Sequence, residues 1–348
     1  MPVPLSAIPR LVALAERLAP GSVHVIIDNE EAFVKFRQGV LESKRAVEMG
    51  VFVKIDTGYH RAGIATTSPQ FQRLVSTIVD QTCRPGLYLQ GFYSHFGHSY
   101  AGNSADDAAN GLLEELGGLE AALEAVPPTH TTPLVLSVGA TPTATAAQTL
   151  VCSKTDAAHT LRSILARLQA GRDRVELHAG VYPLLDCQQL ATQARAGSDS
   201  DRPSFQPLSK ANIAITVLLE VTSTYTERAQ PEALVSGGSL ALGREPCKSY
   251  AGWGIVSAGL GNAGTRAVYD ERGGRTGWVV GRISQEHGIL TWQGDAQLCN
   301  TLGVGDRVRV WPNHACVAGA GFGWYLVVDA EEGGGERVVD VWVRGRGW

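Results

Sequence analysis

The 348 residues hold few cysteines, no long apolar run and almost no excess charge, and each shortage removes a class of function. Six cysteines (Cys83, Cys152, Cys187, Cys247, Cys299 and Cys316) are scattered without a CxxC pair or the spacing of a disulfide framework. Free thiols in a reducing compartment are expected for five of the six, and with them a cytoplasmic protein. No apolar stretch is long enough to span a bilayer. The opening stretch MPVPLSAIPRLVALAERLAPG carries Arg10, Glu16 and Arg17 at helical spacing, which reads as an amphipathic helix and not as a signal peptide. A formal net charge of −4 gives no reason to expect nucleic acid or a membrane as partner. What remains is an ordinary globular composition, 44% hydrophobic and 18% charged, with length enough for two domains that each have a core.

The first half alternates strand and helix signals. SVHVIID (22–28), VFVKID (51–56), LYLQGFYSHF (87–96), LVLSVGA (134–140) and RVELHAGVY (174–182) are β-branched or apolar runs separated by helical periodicity. That rhythm predicts parallel βαβ units. Arg61, the His95–Tyr100 cluster, Thr141 and Gly180 fall just past the strand ends, where a β/α barrel and an open doubly wound sheet alike place their chemistry. The polar stretch 192–210 reads as a linker or surface insertion. Beyond it, Ile213, Ile215, Val217, Leu219 and Val221 alternate with period two, and ALVSGGSLALG, GWGIV, GWVVGRIS, DRVRVW, WYLVV and VVDVWV follow as short strands. The organisation is therefore a β/α domain over 1–195, a linker over 196–207 and a mainly antiparallel β domain over 208–348.

Four segments carry residues suited to chemistry. Asp56-Thr-Gly-Tyr-His-Arg61-Ala-Gly63 sets a rigid, permanently charged guanidinium at a strand end, able to fix an aromatic nitrogen or a phosphate, or simply to pair with a surface carboxylate. Tyr93-Ser-His95-Phe-Gly97-His98-Ser-Tyr100 concentrates polar rings after a buried strand, which is costly unless they are paired or used. Ser137-Val-Gly139-Ala-Thr141-Pro-Thr143 joins glycine and hydroxyls to a helix start, a phosphate seat or an ordinary N-cap. His178-Ala-Gly180-Val-Tyr182 offers a second glycine turn, suggesting one phosphate shared between the two strand ends. Finally, Pro312-Asn-His314-Ala-Cys316 follows a strand. On an extended segment His314 and Cys316 would point the same way, toward one metal ion or, more blandly, into a packed interior. Imidazole with thiolate suits zinc, and two ligands leave coordination positions open.

Taken in this order, the segments VFVKIDTGYHRAGI, GFYSHFGHSY, LSVGATPT, ELHAGVYPLLD, QEHGIL and GDRVRVWPNHAC resemble the D-serine dehydratase and D-threonine aldolase family across nearly the whole chain. The resemblance implies fold-type III pyridoxal 5′-phosphate enzymes, an alanine-racemase-like barrel of the TIM type followed by a β domain, and a homodimer. It places Arg61 at the cofactor's pyridine nitrogen, Tyr93 and Tyr100 in the cofactor pocket, and Thr141 with the Gly180 turn at the phosphate. His314 and Cys316 would bind Zn2+, which accepts the β-hydroxyl of a small D-amino acid. The aldolase branch looks to carry an aspartate where Cys316 stands, so the thiolate argues for conversion of D-serine to pyruvate and ammonia. A D-threonine aldolase-like retro-aldol lyase and a non-catalytic relative are the alternatives.

The sequence departs from the family pattern in two places. Val181 replaces the asparagine that usually follows the glycine, removing one polar cofactor contact worth ~1 kcal/mol. Nothing resembles the segment that carries the family's Schiff-base lysine. Only five of a barrel's eight parallel strands are visible, so the sequence leads us to expect an incomplete barrel lacking roughly 90 residues, and a chain inactive by itself. Lys35, Lys44, Lys54, Lys154, Lys210 and Lys248 do not stand in for that lysine. Lys54 lies on a strand and could face inward, but the family motif tolerates a lysine there without using it.

Overall fold

The computed structural model describes residues 1–82, 86–150, 153–171, 173–195, 206–257 and 267–345. Cys83, Cys152 and the 196–205 part of the expected linker lie outside the described residues. Two units form, one of Met1–Ala179 with Ala194–Pro207, the other of Gly180–Gln193 with Leu208–Trp348.

In the first unit the β-branched runs become β1 (Val23–Ile27), β2 (Met49–Lys54), β3 (Leu87–Tyr93), β4 (Val135–Val138) and β5 (Arg174–Leu177), parallel and in sequential order in one five-stranded sheet. Its helices are α1 (Ile8–Ala15), α2 (Glu30–Glu42), α3 (Pro69–Asp80), α4 (Ala105–Leu123), α5 (Thr141–Leu150) and α6 (Asp156–Ala170). Side-chain caps start four of them: Asn29, Ser68, Ser104 and Thr155 accept the N–H groups of Ala32, Phe71, Asp107 and Ala158. Each such cap is worth ~1 kcal/mol. The helices bury stripes at i, i+3, i+4 and i+7 against the sheet, as with Phe33, Phe36 and Val40 of α2. Phe33, Phe36, Phe71 and Phe92 are fully buried, and each contributes on the order of 2–3 kcal/mol of apolar burial.

The second unit opens with α7 (Cys187–Thr192) and then turns antiparallel, as the period-two alternation predicts. Strands β6 (Val217–Tyr225), β7 (Glu232–Val235), β8 (Gly254–Val256), β9 (Gly277–Ile283), β10 (Gly288–Gln293) and β11 (Arg307–Pro312) close a barrel in the order β10-β7-β6-β11-β8-β9. Trp278 and Trp292 meet edge to face inside it, centroids 5.5 Å apart. β12 (Trp324–Val328) and β13 (Val338–Val343) form a separate hairpin.

Two expectations for this unit need correction. ALVSGGSLALG is not one strand: the chain leaves β7 at Gly237–Gly238 and makes the short helix α8 (Ser239–Leu242). The segment after Pro312 is not extended either, since His314 N-caps α9 (Ala315–Ala320). No helix among the described residues is long and apolar enough to cross a membrane.

Candidate active site

Three strand ends of the first unit converge. After β2, the Asp56–Gly63 loop is folded by its own side chains. Asp56 Oδ1 accepts the N–H groups of Gly58 and His60, while Oδ2 meets His60 Nδ1 at 2.7 Å. Burial alone would raise the Asp56 pKa, but these bonds hold it below the ordinary carboxylate value. Gly63 sits at φ +114°, donates to Asp28 Oδ2, and has no room for a Cβ, which would lie 2.7 Å from the Asp56 nitrogen. The loop presents Arg61 at the surface, its guanidinium 5.1 Å from the Tyr59 ring centroid.

Arg61's charge is felt by Lys54, Tyr93 and His95, which places the four in one electrostatic neighbourhood. Lys54 is only 6% exposed, with Nζ 5.3 Å from the Tyr93 ring centroid. Burial first, then Arg61, push its ammonium pKa down, against Asp56, Asp28 and Glu115. Tyr93 lies flat on His178, and His95 also stacks with the His178 ring, centroids 6.0 Å apart. Burial, followed by Arg61 and Lys54, pushes His95 down to about 4, while burial and then His95 push His178 to about 4. Both imidazoles are neutral at neutral pH.

Ser137 fixes the His178 tautomer. Its hydroxyl donates to Glu176 Oε1 at 2.7 Å, so the 3.0 Å contact with His178 Nδ1 needs the imidazole as donor. In that tautomer His178 Nε2 is the acceptor, and the atom is buried with no partner, while the Gly139 backbone also bonds the ring and offsets part of the burial effect.

After β4, Gly139 adopts φ +140° and passes so close to β5 that a Cβ would lie 2.1 Å from the His178 carbonyl oxygen. α5 then begins at Thr141, 1% exposed, with its first-turn N–H groups at the same end of the sheet. Tyr100 is half-buried in the 3₁₀ turn Gly97–Ala101 after β3. The sequence reading overlooked one residue here: Glu115 of α4, fully buried, whose Oε1 accepts the Gly139 N–H. Its signal was present, as a carboxylate on the apolar stripe Ala108, Leu112, Leu116, Leu119.

The remaining candidates belong to the second unit. Gly180 is exposed, and a Cβ there would meet nothing within 4 Å. Val181 is 2% exposed in an apolar cluster with Leu185 and Leu190, its carbonyl accepting the Leu184 and Leu185 N–H groups. Cys316 is exposed on α9 and His314 is half-buried at the helix start. Asp186, 1% exposed, shapes this place: Oδ1 accepts the Gln189 N–H of α7 and Oδ2 the Ala315 N–H of α9, both within 2.9 Å. Its charge also acts on His314 and Cys316.

The first unit thus offers flat stacked rings, an unpartnered buried acceptor, two cations and a helix N-terminus, which together fit a planar aromatic ligand bearing a phosphate. In the second unit, imidazole and thiol are donors of the kind that suits a borderline-soft divalent ion. Among the described residues no three His, Cys, Asp or Glu side chains gather as a metal cluster, so the chain supplies at most a two-ligand site there.

Residues 9–158 match the alanine racemase N-terminal domain and residues 214–328 the putative serine dehydratase domain. The D-serine dehydratase of Schizosaccharomyces pombe is 33% identical over 353 aligned positions, covering 100% of this chain and 72% of the relative. That of Saccharomyces cerevisiae is 32% identical, covering 98% and 72%. The solved D-threo-3-hydroxyaspartate dehydratase of Delftia sp. HT23 superposes with a TM-score of 0.70 at 26% identity, over 100% of this chain and 78% of that one. The five-stranded parallel sheet and the antiparallel barrel follow the alanine-racemase-like fold of these proteins. By sequence and by fold, the chain belongs to the D-serine dehydratase family.

Proposed function

We propose that this chain belongs to a pyridoxal 5′-phosphate- and zinc-dependent D-serine ammonia-lyase, which releases pyruvate and ammonia, and that none of its own lysines takes the role of the family's Schiff-base lysine. The observation that carries the reading is the Tyr93–His178 stack with its unpartnered Nε2, flanked by Lys54 and Arg61. When bound, the cofactor supplies an electron sink that makes the substrate Cα–H acidic. Zinc at His314 and Cys316 supplies Lewis acidity toward a β-hydroxyl, which is a poor leaving group without it.

The chain's own residues bind and orient. Arg61 holds a permanent charge where the ring nitrogen or an anionic substituent lies. Gly139 and the first turn of α5, with the Thr141 hydroxyl, seat the phosphate. Tyr93 and Tyr100 close the pocket against water. His178 Nε2 accepts a hydrogen bond without taking up a proton at neutral pH, and Lys54 Nζ can hold one. The substrate is a small D-amino acid, and a homodimer is the expected assembly.

The test is product analysis, with the cofactor and zinc added, on a version of the protein that carries the family's Schiff-base lysine segment. Pyruvate and ammonia from D-serine support the reading. Glycine and acetaldehyde from D-threonine would move the protein to the retro-aldol chemistry of D-threonine aldolases. Cofactor binding with no product from either would leave a non-catalytic member of the family.

A further inference from the structure

Glu115 is a carboxylate in the middle of a core-facing helix, and its acceptors are engaged from two different loops. Gly139 N–H donates to Oε1 at 3.1 Å and the Thr143 hydroxyl to Oε2 at 3.1 Å, both from the turn between β4 and α5. The Ser94 hydroxyl and the Phe96 N–H donate from the turn after β3. Ser94 Oγ is in turn 2.7 Å from Thr57 Oγ1 in the turn after β2. Thr143 also accepts the Ala140 N–H at 2.8 Å.

One buried group therefore links three consecutive strand ends. Each of these turns carries a residue of the candidate pocket: Arg61 follows Thr57, His95 lies between Ser94 and Phe96, and Thr141 lies between Gly139 and Thr143. Burying an unpaired carboxylate costs several kcal/mol, so a core position of this kind persists only where its bonds are made. A leucine would fill the stripe at no such cost. The carboxylate's work is local geometry: it fixes the Gly139 peptide, and with it the direction of the first N–H groups of α5.

We infer that Glu115 is a positioning residue that sets the phosphate seat by tying the β3 and β4 turns together from behind. The inference rests on the reading of this site as a pyridoxal 5′-phosphate pocket. It predicts a defect that is larger for the phosphate than for the ring, because the bonds Glu115 makes run to the two turns and not to the Tyr93 or His178 rings.

The experiment compares the wild-type chain with Glu115→Gln, which keeps the shape but replaces an acceptor oxygen with a donor. Dissociation constants are measured for pyridoxal 5′-phosphate and for pyridoxal, and amide exchange is followed at Phe96 and Gly139 with Val25 as control. The expected result is affinity for the phosphorylated form weaker by about tenfold or more, and for pyridoxal by less than about threefold. Exchange at the two amides should rise about tenfold while Val25 is unchanged. Thr143→Val, which removes one donor, should give the same selectivity with a smaller loss, and serves alone if the glutamine variant does not fold. Equal losses for both ligands, or none, would overturn the inference, as would unchanged exchange at Gly139. Failure of the wild-type chain to bind pyridoxal 5′-phosphate would instead overturn the cofactor reading, and the exchange measurement would still decide whether the clamp exists.

Discussion

Tyr93 and His178 lie face to face with ring centroids 4.3 Å apart and planes 9° from parallel, although 85 positions separate them in the chain. The contact exists because β4 lies between β3 and β5, so Tyr93 at the end of β3 and His178 just after β5 meet above Ser137. Ser137 holds the His178 ring in one tautomer by spending its own proton on Glu176.

Replacing Ser137 by alanine should therefore act through His178. The ring becomes free to take either tautomer, and half of the population would present an N–H where a lone pair now stands. Affinity for pyridoxal 5′-phosphate should fall by about 3- to 10-fold, the size of one lost hydrogen bond, with little change in melting temperature. Cofactor titration followed by absorbance reads the first, and thermal denaturation the second. A Ser137→Ala protein that binds as tightly as wild type would show that the tautomer does not matter.

Much of this arrangement was legible in the sequence, and the reasons for the rest are specific. The strands were readable because β2, β3 and β4 are buried on both faces and so are continuous apolar runs. Arg61, Tyr93 and Thr141 stood out because polar residues after such runs are expensive. Glu115 did not, since a glutamate in a helix is ordinarily solvated, and only the partners on distant turns reveal its role. The segment after Pro312 was misread as extended for a similar reason. Its helix is started by Asp186, 129 positions away, which no local pattern announces.

Asp186 caps α7 and α9 with a single buried carboxylate, so its loss should be felt at both. Asp186→Ala leaves the N–H groups of Gln189 and Ala315 without partners and should lower stability by about 3 kcal/mol. Asp186→Asn keeps one acceptor and should recover part of that. Urea unfolding of the two variants measures the difference. A loss under ~1 kcal/mol for alanine would mean that water replaces the carboxylate at both helix starts.

Cys316 gives a direct check on the metal proposal because it is exposed. Cys187 and Cys247 are buried and should react slowly, whereas Cys316 is open to an alkylating reagent in the metal-free chain. Added zinc should protect it by at least about tenfold, and His314→Ala should remove most of the protection, since each ligand holds the other's ion. Mass spectrometry of the labelled peptide identifies the site. Equal labelling with and without zinc would remove Cys316 from any metal site.

The acid response of the fold follows from three shifted groups with opposing signs. His95 and His178, at about 4 when folded, gain protons near their ordinary value only on unfolding. Their contribution to stability is complete above pH 6.5 and is lost as pH falls toward 4. Lys54 and Arg61 lower His95 in addition to burial, so the effect depends on the positive surroundings of the pocket. Glu115 works the other way. Burial raises it to about 7, and its charge is felt by Lys54 on β2 and Tyr93 on β3. Its contribution is complete below pH 4.5 and is lost as pH rises through 7. Between pH 6.5 and 4.5 two histidines therefore remove stability while one carboxyl restores some. Urea midpoints should decline across that window in the wild-type chain. The decline should be steeper in Glu115→Gln, which has lost the opposing group, and shallower in His178→Phe, which keeps the stack without the titration. A slope unchanged by either substitution would mean that other groups set the acid limit of the fold.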